Sequence, residues 1–270
     1  MPRIDLDNQT VAYEEAGADH PDRPALLLVH GFTGSHVDFV DVLESLGQDR
    51  RVIAVDLPGH GGSTGPDDVD AYALPARASW VVRFVDALGL GDLHLLGYSL
   101  GGLIAQRAAA MASHRLRSLI LMDTGLGAMR EEASERVVRI AVAARDEGPE
   151  AALAASVADE DVAEDERQRG LQRFRQLNPA AVVGGARALV SAVPLGAFLR
   201  GIDVPVLVVH GADDEAWTLS EQRLLVQTAA GAEHAIIPDA AHAPQRENPT
   251  VWLAVVRDFL RRTDGIDAAG

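Results

Sequence analysis

A lone serine stands between glycines in Gly97-Tyr98-Ser99-Leu100-Gly101, where the apolar run LHLLGY gives way to the helical text LGGLIAQ. A serine hydroxyl is a weak nucleophile; it needs a base beside it and an acid to orient that base. The G-x-S-x-G pattern after a strand and before a helix is the setting in which such a serine is presented on a tight turn. Small neighbours are needed there, which accounts for Gly97 and Gly101, and Gly102 lets the helix pack close to the strand. Ser99 then projects at the positive end of a helix, where developing negative charge is stabilised. The plain alternative is a structural serine capping that helix.

For a serine presented in this way the chain order is nucleophile, acid, histidine. Four histidines follow Ser99: His114, His210, His234 and His242. His114 falls at a helix end, His210 ends an apolar strand run, and His234 begins one, so packing explains all three. His242 lies in PDAAHAPQRENP, a loop without periodic apolar demands, and is the expected base. The acid is expected in the loop Gly211-Ala212-Asp213-Asp214-Glu215, where either aspartate fits; Asp123, ending an earlier strand run, is a third candidate. An oxyanion hole needs two backbone N–H groups, one after the nucleophile and one from the loop after an earlier strand. Leu100 and Phe32, the latter in LLLVHGFTGSH, supply them, with His30 as an anchor of that loop.

These residues need a frame. Short, continuously apolar runs at 25–30, 51–56, 93–98, 116–123, 204–211 and 234–239 suit strands buried on both faces of a parallel sheet. Helical patterns separate them, as in 77–89 and 247–262, which implies right-handed βαβ units. RIDLD and TVAYEEAG read as an antiparallel opening pair. From 126 to 200 no strand-like run occurs, only amphipathic helical text punctuated by Pro149, Pro179 and Pro194, with Gly184-Gly185 inside. The expected organisation is therefore a core of residues 1–125 and 201–270 with a helical lid, 126–200, over the C-terminal edge of the strands, where ligands bind in open α/β sheets.

Composition narrows the function classes. The chain of 270 residues can bury a substantial core. A net charge of −16 argues against binding nucleic acid through its phosphates. The absence of cysteine excludes thiolate catalysis, disulfides and cysteine-based zinc sites. The N-terminus lacks the basic and apolar regions of a signal peptide, and no apolar run approaches the roughly 18–20 residues of a membrane span. The expected location is the cytoplasm, with no membrane partner. GHGGSTG (59–65) lacks the spacing of a phosphate loop. No His/Asp/Glu set has metal-ligand spacing on one helix, so neither metal nor other cofactor is expected. The arginine-dense ERQRGLQRFRQ (166–176) reads as a solvated helix face balanced by nearby acids.

Together, HGFTGS, DLPGHGGS (56–63), GYSLGG (97–102), the GADD loop and AHAPQRENP resemble the α/β-hydrolase superfamily along essentially the whole chain outside the insertion. The resemblance implies an eight-stranded, mostly parallel sheet flanked by helices, with a helical cap after the sixth strand. It also selects Asp214 over Asp213, because the family's acid is usually the third residue after that glycine. HGF, DLPGHG and GYSLGG are similar as well to the menaquinone-pathway lyase that eliminates pyruvate with the same three residues. That enzyme carries an arginine just after GYSLGG, where this chain has Leu103.

The expected activity is hydrolysis of a carboxylic ester or lactone, with Ser99 as nucleophile, His242 as base, Asp214 as acid, and the Phe32 and Leu100 N–H groups as the oxyanion hole. Tyr98 and Trp217 are candidate substrate-binding residues, although each also reads as a packing residue. The alternatives are the same-residue lyase, a hydrolase of carbon–carbon bonds in ring-fission products, or a ligand receptor on a hydrolase fold. The partner is a small-molecule substrate, and the sequence does not indicate an oligomeric state.

Overall fold

The computed structural model describes residues 1–157 and 164–265. Within the expected lid, 158–163 lie outside the described residues, as do 266–270 at the end of the core.

The strands are β1 (Arg3–Leu6), β2 (Gln9–Ala16), β3 (Ala25–Val29), β4 (Val52–Val55), β5 (Leu93–Tyr98), β6 (Leu116–Met122), β7 (Val206–Gly211) and β8 (Glu233–Ile237). They form one eight-stranded sheet in the order β1-β2-β4-β3-β5-β6-β7-β8. Only β2 runs against its neighbours, pairing antiparallel with β1 and β4. The parallel strands are apolar at successive positions because both faces are covered. Alternate positions along each strand, such as Leu27, Val29, Leu95, Leu119, Leu121 and Val208, point to one core, and Leu26, Leu28, Leu96, Ile120, Met122 and Val209 to the other.

Helices α2 (Leu74–Ala87) and α3 (Leu100–Ala112) cover the first face through residues such as Val81, Phe84, Leu103 and Ile104. Helices α1 (Val40–Leu46) and α11 (Pro249–Thr263) cover the second through Val42, Leu46, Trp252 and Phe259. Helix α9 (Leu219–Thr228) packs on β7, and the short α10 (Pro244–Glu247) packs on α1 and α11. One expectation is corrected at the sheet margin. The run at 234–239 was expected to be buried on both faces, yet in β8 Glu233, His234 and Ile236 are exposed, because this strand is the edge of the sheet and has a neighbour on one side only.

Between β6 and β7 the described chain is helical: α4 (Glu131–Asp146), α5 (Pro149–Ser156), α6 (Glu164–Arg175), α7 (Pro179–Ser191) and α8 (Gly196–Arg200). Pro149 and Pro179 each open a helix, where a missing N–H costs nothing. Val137, Ile140, Leu153, Val182 and Leu189 join the first core. Helix α6 is largely exposed, with Arg169–Asp165 and Arg175–Glu150 ion pairs at its surface.

The strand order places a site. After β3 the chain moves outward to β4, then returns to lay β5 on the other side of β3. At such a reversal the connections leave the strand ends in opposite directions and open a crevice at the C-terminal edge. Phe32 follows β3 there, and Ser99 follows β5.

Candidate active site

Ser99 sits at the turn between β5 and α3 with φ 54° and ψ −117°, a conformation that serine adopts only under constraint. Neighbours hold it. The Ser99 N–H donates to the Met122 carbonyl (2.9 Å), and the Ser99 carbonyl accepts from the Gly102 N–H (2.9 Å) and the Thr124 hydroxyl (2.8 Å). The flanking glycines are required by close approach: a Cβ on Gly97 would lie 2.3 Å from the Gly101 carbonyl oxygen, and one on Gly101 would lie 2.3 Å from that of Val29.

The structure brings Ser99, His242 and Asp214 into one line. Ser99 Oγ is 3.1 Å from His242 Nε2, and His242 Nδ1 is 3.0 Å from Asp214 Oδ1. The loop after β8 carries His242 and the loop after β7 carries Asp214, so adjacent strands deliver base and acid to the same edge. Asp214 Oδ1 also accepts the N–H groups of Ala216 (2.8 Å) and Trp217 (3.2 Å). Ser99 is 6% exposed and the Asp214 side chain 1%, whereas the His242 side chain is 33% exposed. Asp213 is exposed and bonds the Ala240 carbonyl through its backbone N–H (2.9 Å).

Asp123 lies behind Asp214. Fully buried at the end of β6 with φ 45°, it accepts the Gly211 N–H on Oδ1 (3.0 Å). Burial, followed by the neighbouring Asp214 charge, pushes its carboxyl well above the usual carboxylate range. Asp123, Asp214 and His242 offer donor atoms within 4.8 Å of one another, a set that by type could meet a cation; hydrogen bonding among its own members accounts for its compactness.

Among the described residues neither the Phe32 nor the Leu100 N–H has a hydrogen-bond partner. Their loops are tied from behind. His30 Nδ1 donates to the Gly31 carbonyl (2.8 Å), which leaves Nε2 to accept the Leu57 N–H (3.0 Å). Asp56 accepts the His36 N–H (2.7 Å), the His36 ring (2.9 Å) and the Gly62 N–H (2.8 Å), joining HGFTGS to DLPGHGGS. Helix α7 reaches this point too: a Cβ on Gly185 would lie 2.9 Å from the Phe32 ring and 3.3 Å from Leu100 Cδ2.

The Tyr98 ring packs between those of His242 (centroids 5.4 Å apart) and Phe39 (6.4 Å), and burial pushes its phenol well above its usual value, keeping it neutral. Trp217 is 1% exposed, its ring so close over Gly125 that a Cβ there would lie at 2.1 Å. His210 and His234 bond to one another across β7 and β8 (2.9 Å), and His114 lies within a short 3-10 turn after α3.

Sequence reading missed a second Ser-His-Asp file at the opposite end of the sheet. His94 Nδ1 meets Ser118 Oγ (2.7 Å) and its Nε2 meets Asp264 Oδ1 (2.9 Å), with the Arg50 guanidinium on Asp264 Oδ2 (2.7 Å). All three residues of the file have buried side chains, so no substrate reaches the hydroxyl. The only linear signal was two polar residues inside apolar strand runs.

Similarity to known proteins follows the same lines. A Bacillus subtilis (strain 168) protein with a provisional assignment as 2-succinyl-6-hydroxy-2,4-cyclohexadiene-1-carboxylate synthase is 30% identical over 250 residues, covering 87% of this chain and 90% of its own. The esterase of Thermogutta terrifontis superposes with a TM-score of 0.84 at 26% identity, over 98% of this chain and 100% of that one. The enol-lactonase of Burkholderia xenovorans LB400 gives a TM-score of 0.84 at 26% identity, over 96% and 99%. No described helix is long and apolar enough to cross a membrane. The sequence profile of the alpha/beta hydrolase fold matches residues 24–249, and the chain belongs to that family of enzymes.

Proposed function

We propose that this enzyme hydrolyses a carboxylic ester or lactone through a covalent acyl-serine. The observation that carries the reading is the continuous file from Ser99 Oγ through the His242 ring to Asp214 Oδ1, with steps of 3.1 and 3.0 Å. His242 Nε2 takes the hydroxyl proton as Ser99 Oγ attacks the carbonyl carbon, while Asp214 holds Nδ1–H and the positive charge that forms on the ring. The unpartnered N–H groups of Phe32 and Leu100 receive the oxyanion, helped by the N-terminus of α3. His242 then returns the proton to the leaving alcohol, or to the ring-opened alkoxide or enolate of a lactone. A water deprotonated by the same nitrogen releases the acid.

Helices α4–α8 act as the cap, with α7 over the oxyanion loop and the Tyr98 and Trp217 rings shaping the walls beside His242 and Asp214. The substrate is a small molecule, and the esterase and enol-lactonase likenesses favour ester and lactone carbonyls.

The likeness to the synthase supports a second reading, elimination by the same three residues. Leu103, in the place of that enzyme's arginine, is fully buried and apolar, which removes one cationic hold on a dicarboxylate. Pre-steady-state hydrolysis of a short p-nitrophenyl ester separates the readings. A burst that disappears in Ser99→Ala, followed by sustained turnover, is the expected result. The absence of a Ser99-dependent burst, with turnover of a dicarboxylate diene instead, would replace the hydrolase with the lyase.

A further inference from the structure

Two carboxyl groups meet behind the histidine, and their hydrogen bonds do not close without one more proton. Asp214 Oδ1 receives three N–H donors, from Ala216, Trp217 and His242. Its Oδ2 is buried and receives none among the described residues. Asp123 repeats the pattern: Oδ1 accepts the Gly211 N–H, and Oδ2 is buried without a donor. Oxygens of the two side chains lie within 4.8 Å of one another. A pair of carboxylate oxygens repel at that range; a carboxylic acid and a carboxylate attract.

We infer that Asp123 is a positioning residue whose carboxyl carries a proton and donates it as a hydrogen bond to Asp214 Oδ2, so that the pair bears one negative charge and presents Oδ1 to His242. The inference rests on the reading of Ser99, His242 and Asp214 as the catalytic set.

The surroundings leave little room for a second charge. The titratable groups facing Asp123 are Asp214 from the loop after β7, Glu247 from α10, Tyr98 at the end of β5 and His242 from the loop after β8. Two of the four are carboxyls, and Tyr98 is a neutral phenol. Among the described residues no arginine bonds or bridges to either aspartate, so a second carboxylate would be buried without a counter-charge. Asp123 also occupies a left-handed conformation, φ 45°, that costs a non-glycine residue energy and persists only where the surroundings hold it. Its N–H donates to the Val209 carbonyl (3.1 Å), which ties the end of β6 to β7 and keeps the carboxyl aimed at the acid loop. A neutral donor on Oδ2 fixes the rotation of the Asp214 carboxylate without adding charge beside the imidazole.

The test compares wild type, Asp123→Asn and Asp123→Ala. Asparagine keeps an acceptor for the Gly211 N–H and an N–H donor for Asp214 Oδ2; alanine keeps neither. On a p-nitrophenyl ester, Asn should retain kcat within about threefold with the acid limb of its pH profile unmoved. Ala should lose on the order of 10- to 100-fold in kcat with KM nearly unchanged. A shift of the Asn acid limb to lower pH would mean that wild-type Asp123 carries a negative charge beside His242, and would overturn the inference.

Two readouts need no turnover, so they separate this inference from the hydrolase reading. The infrared carbonyl band of a protonated carboxyl should be present in the wild type at neutral pH and absent in Asp123→Asn; no such band in the wild type would refute the inference. The downfield proton resonance of His242 Nδ1–H should persist in Asn and broaden or vanish in Ala. An unchanged signal in a folded Ala variant would remove the positioning role.

Discussion

His242 donates through Nδ1 to Asp214 Oδ1 at 3.0 Å, while Asp213, one residue earlier, faces solvent and, among the described residues, bonds only through its backbone. The two adjacent aspartates therefore predict opposite outcomes. Asp214→Asn leaves the ring without its acceptor and should lower kcat by about 10⁴ with little change in KM. Asp213→Asn should stay within about twofold of the wild type, as exposed substitutions usually do. Steady-state kinetics on one ester decides the matter, and equal losses in both variants would be inconsistent with Asp214 as the acid.

The knot between the two loops behind the oxyanion hole predicts a pH window for stability. Burial alone would raise the Asp56 carboxyl, but the His36 ring and the N–H groups of His36 and Gly62 hold it below its usual value. Its contribution is therefore present above the unfolded value of about 3.9 and lost as pH falls through the lower folded value. The His36 ring is raised, chiefly by its hydrogen bond to Asp56. That contribution is full below the unfolded value of about 6.5 and lost as pH rises through the higher folded one. Urea denaturation of wild type and Asp56→Asn should differ most between about pH 4 and 6.5, with the gap narrowing on both sides. A constant gap would contradict the linkage.

Gly185 lies inside α7, where alanine would normally stabilise a helix by up to about 1 kcal/mol. Here a Cβ would come within 2.9 Å of the Phe32 ring, beside the backbone N–H proposed for the oxyanion. Losing such a donor typically costs about 10²–10³ in kcat, so displacing it in part should cost roughly 10-fold. Gly185→Ala is expected to lower kcat by that amount with no fall in Tm. A fall in Tm at unchanged kcat would make the contact structural only.

The buried file beneath the sheet predicts stability without activity. Asp264→Ala would strand the Arg50 guanidinium and the His94 ring, and removing one partner of a buried pair costs about 3–5 kcal/mol. Chemical denaturation should show that loss, while kcat per folded molecule stays at the wild-type value.

Much of this molecule was legible in the linear text because its signals are local. Continuous apolar runs follow from burial on two faces, the 3.6-residue period from helices packed on one, and the glycines around Ser99 from atoms a few residues apart. The same locality explains what was not legible. Nothing in HAIIPD says that β8 lies at the edge of the sheet; strand order decides that, and with it the exposure of Ile236. The pattern around Asp213 and Asp214 did not separate them, because which one turns toward His242 depends on how the loop closes over Ala240 and Gly211. Asp123 was readable as a strand-end acid, but its approach to Asp214 exists only because β6 and β7 are neighbours. The Ser118–His94–Asp264 file draws on two strands and the end of a helix, up to 170 residues apart. The chain by itself determined which elements form and where a serine could be presented; the pairing of distant elements decided which polar groups share a proton, a partner or access to solvent, since those energies arise only between groups that folding brings together.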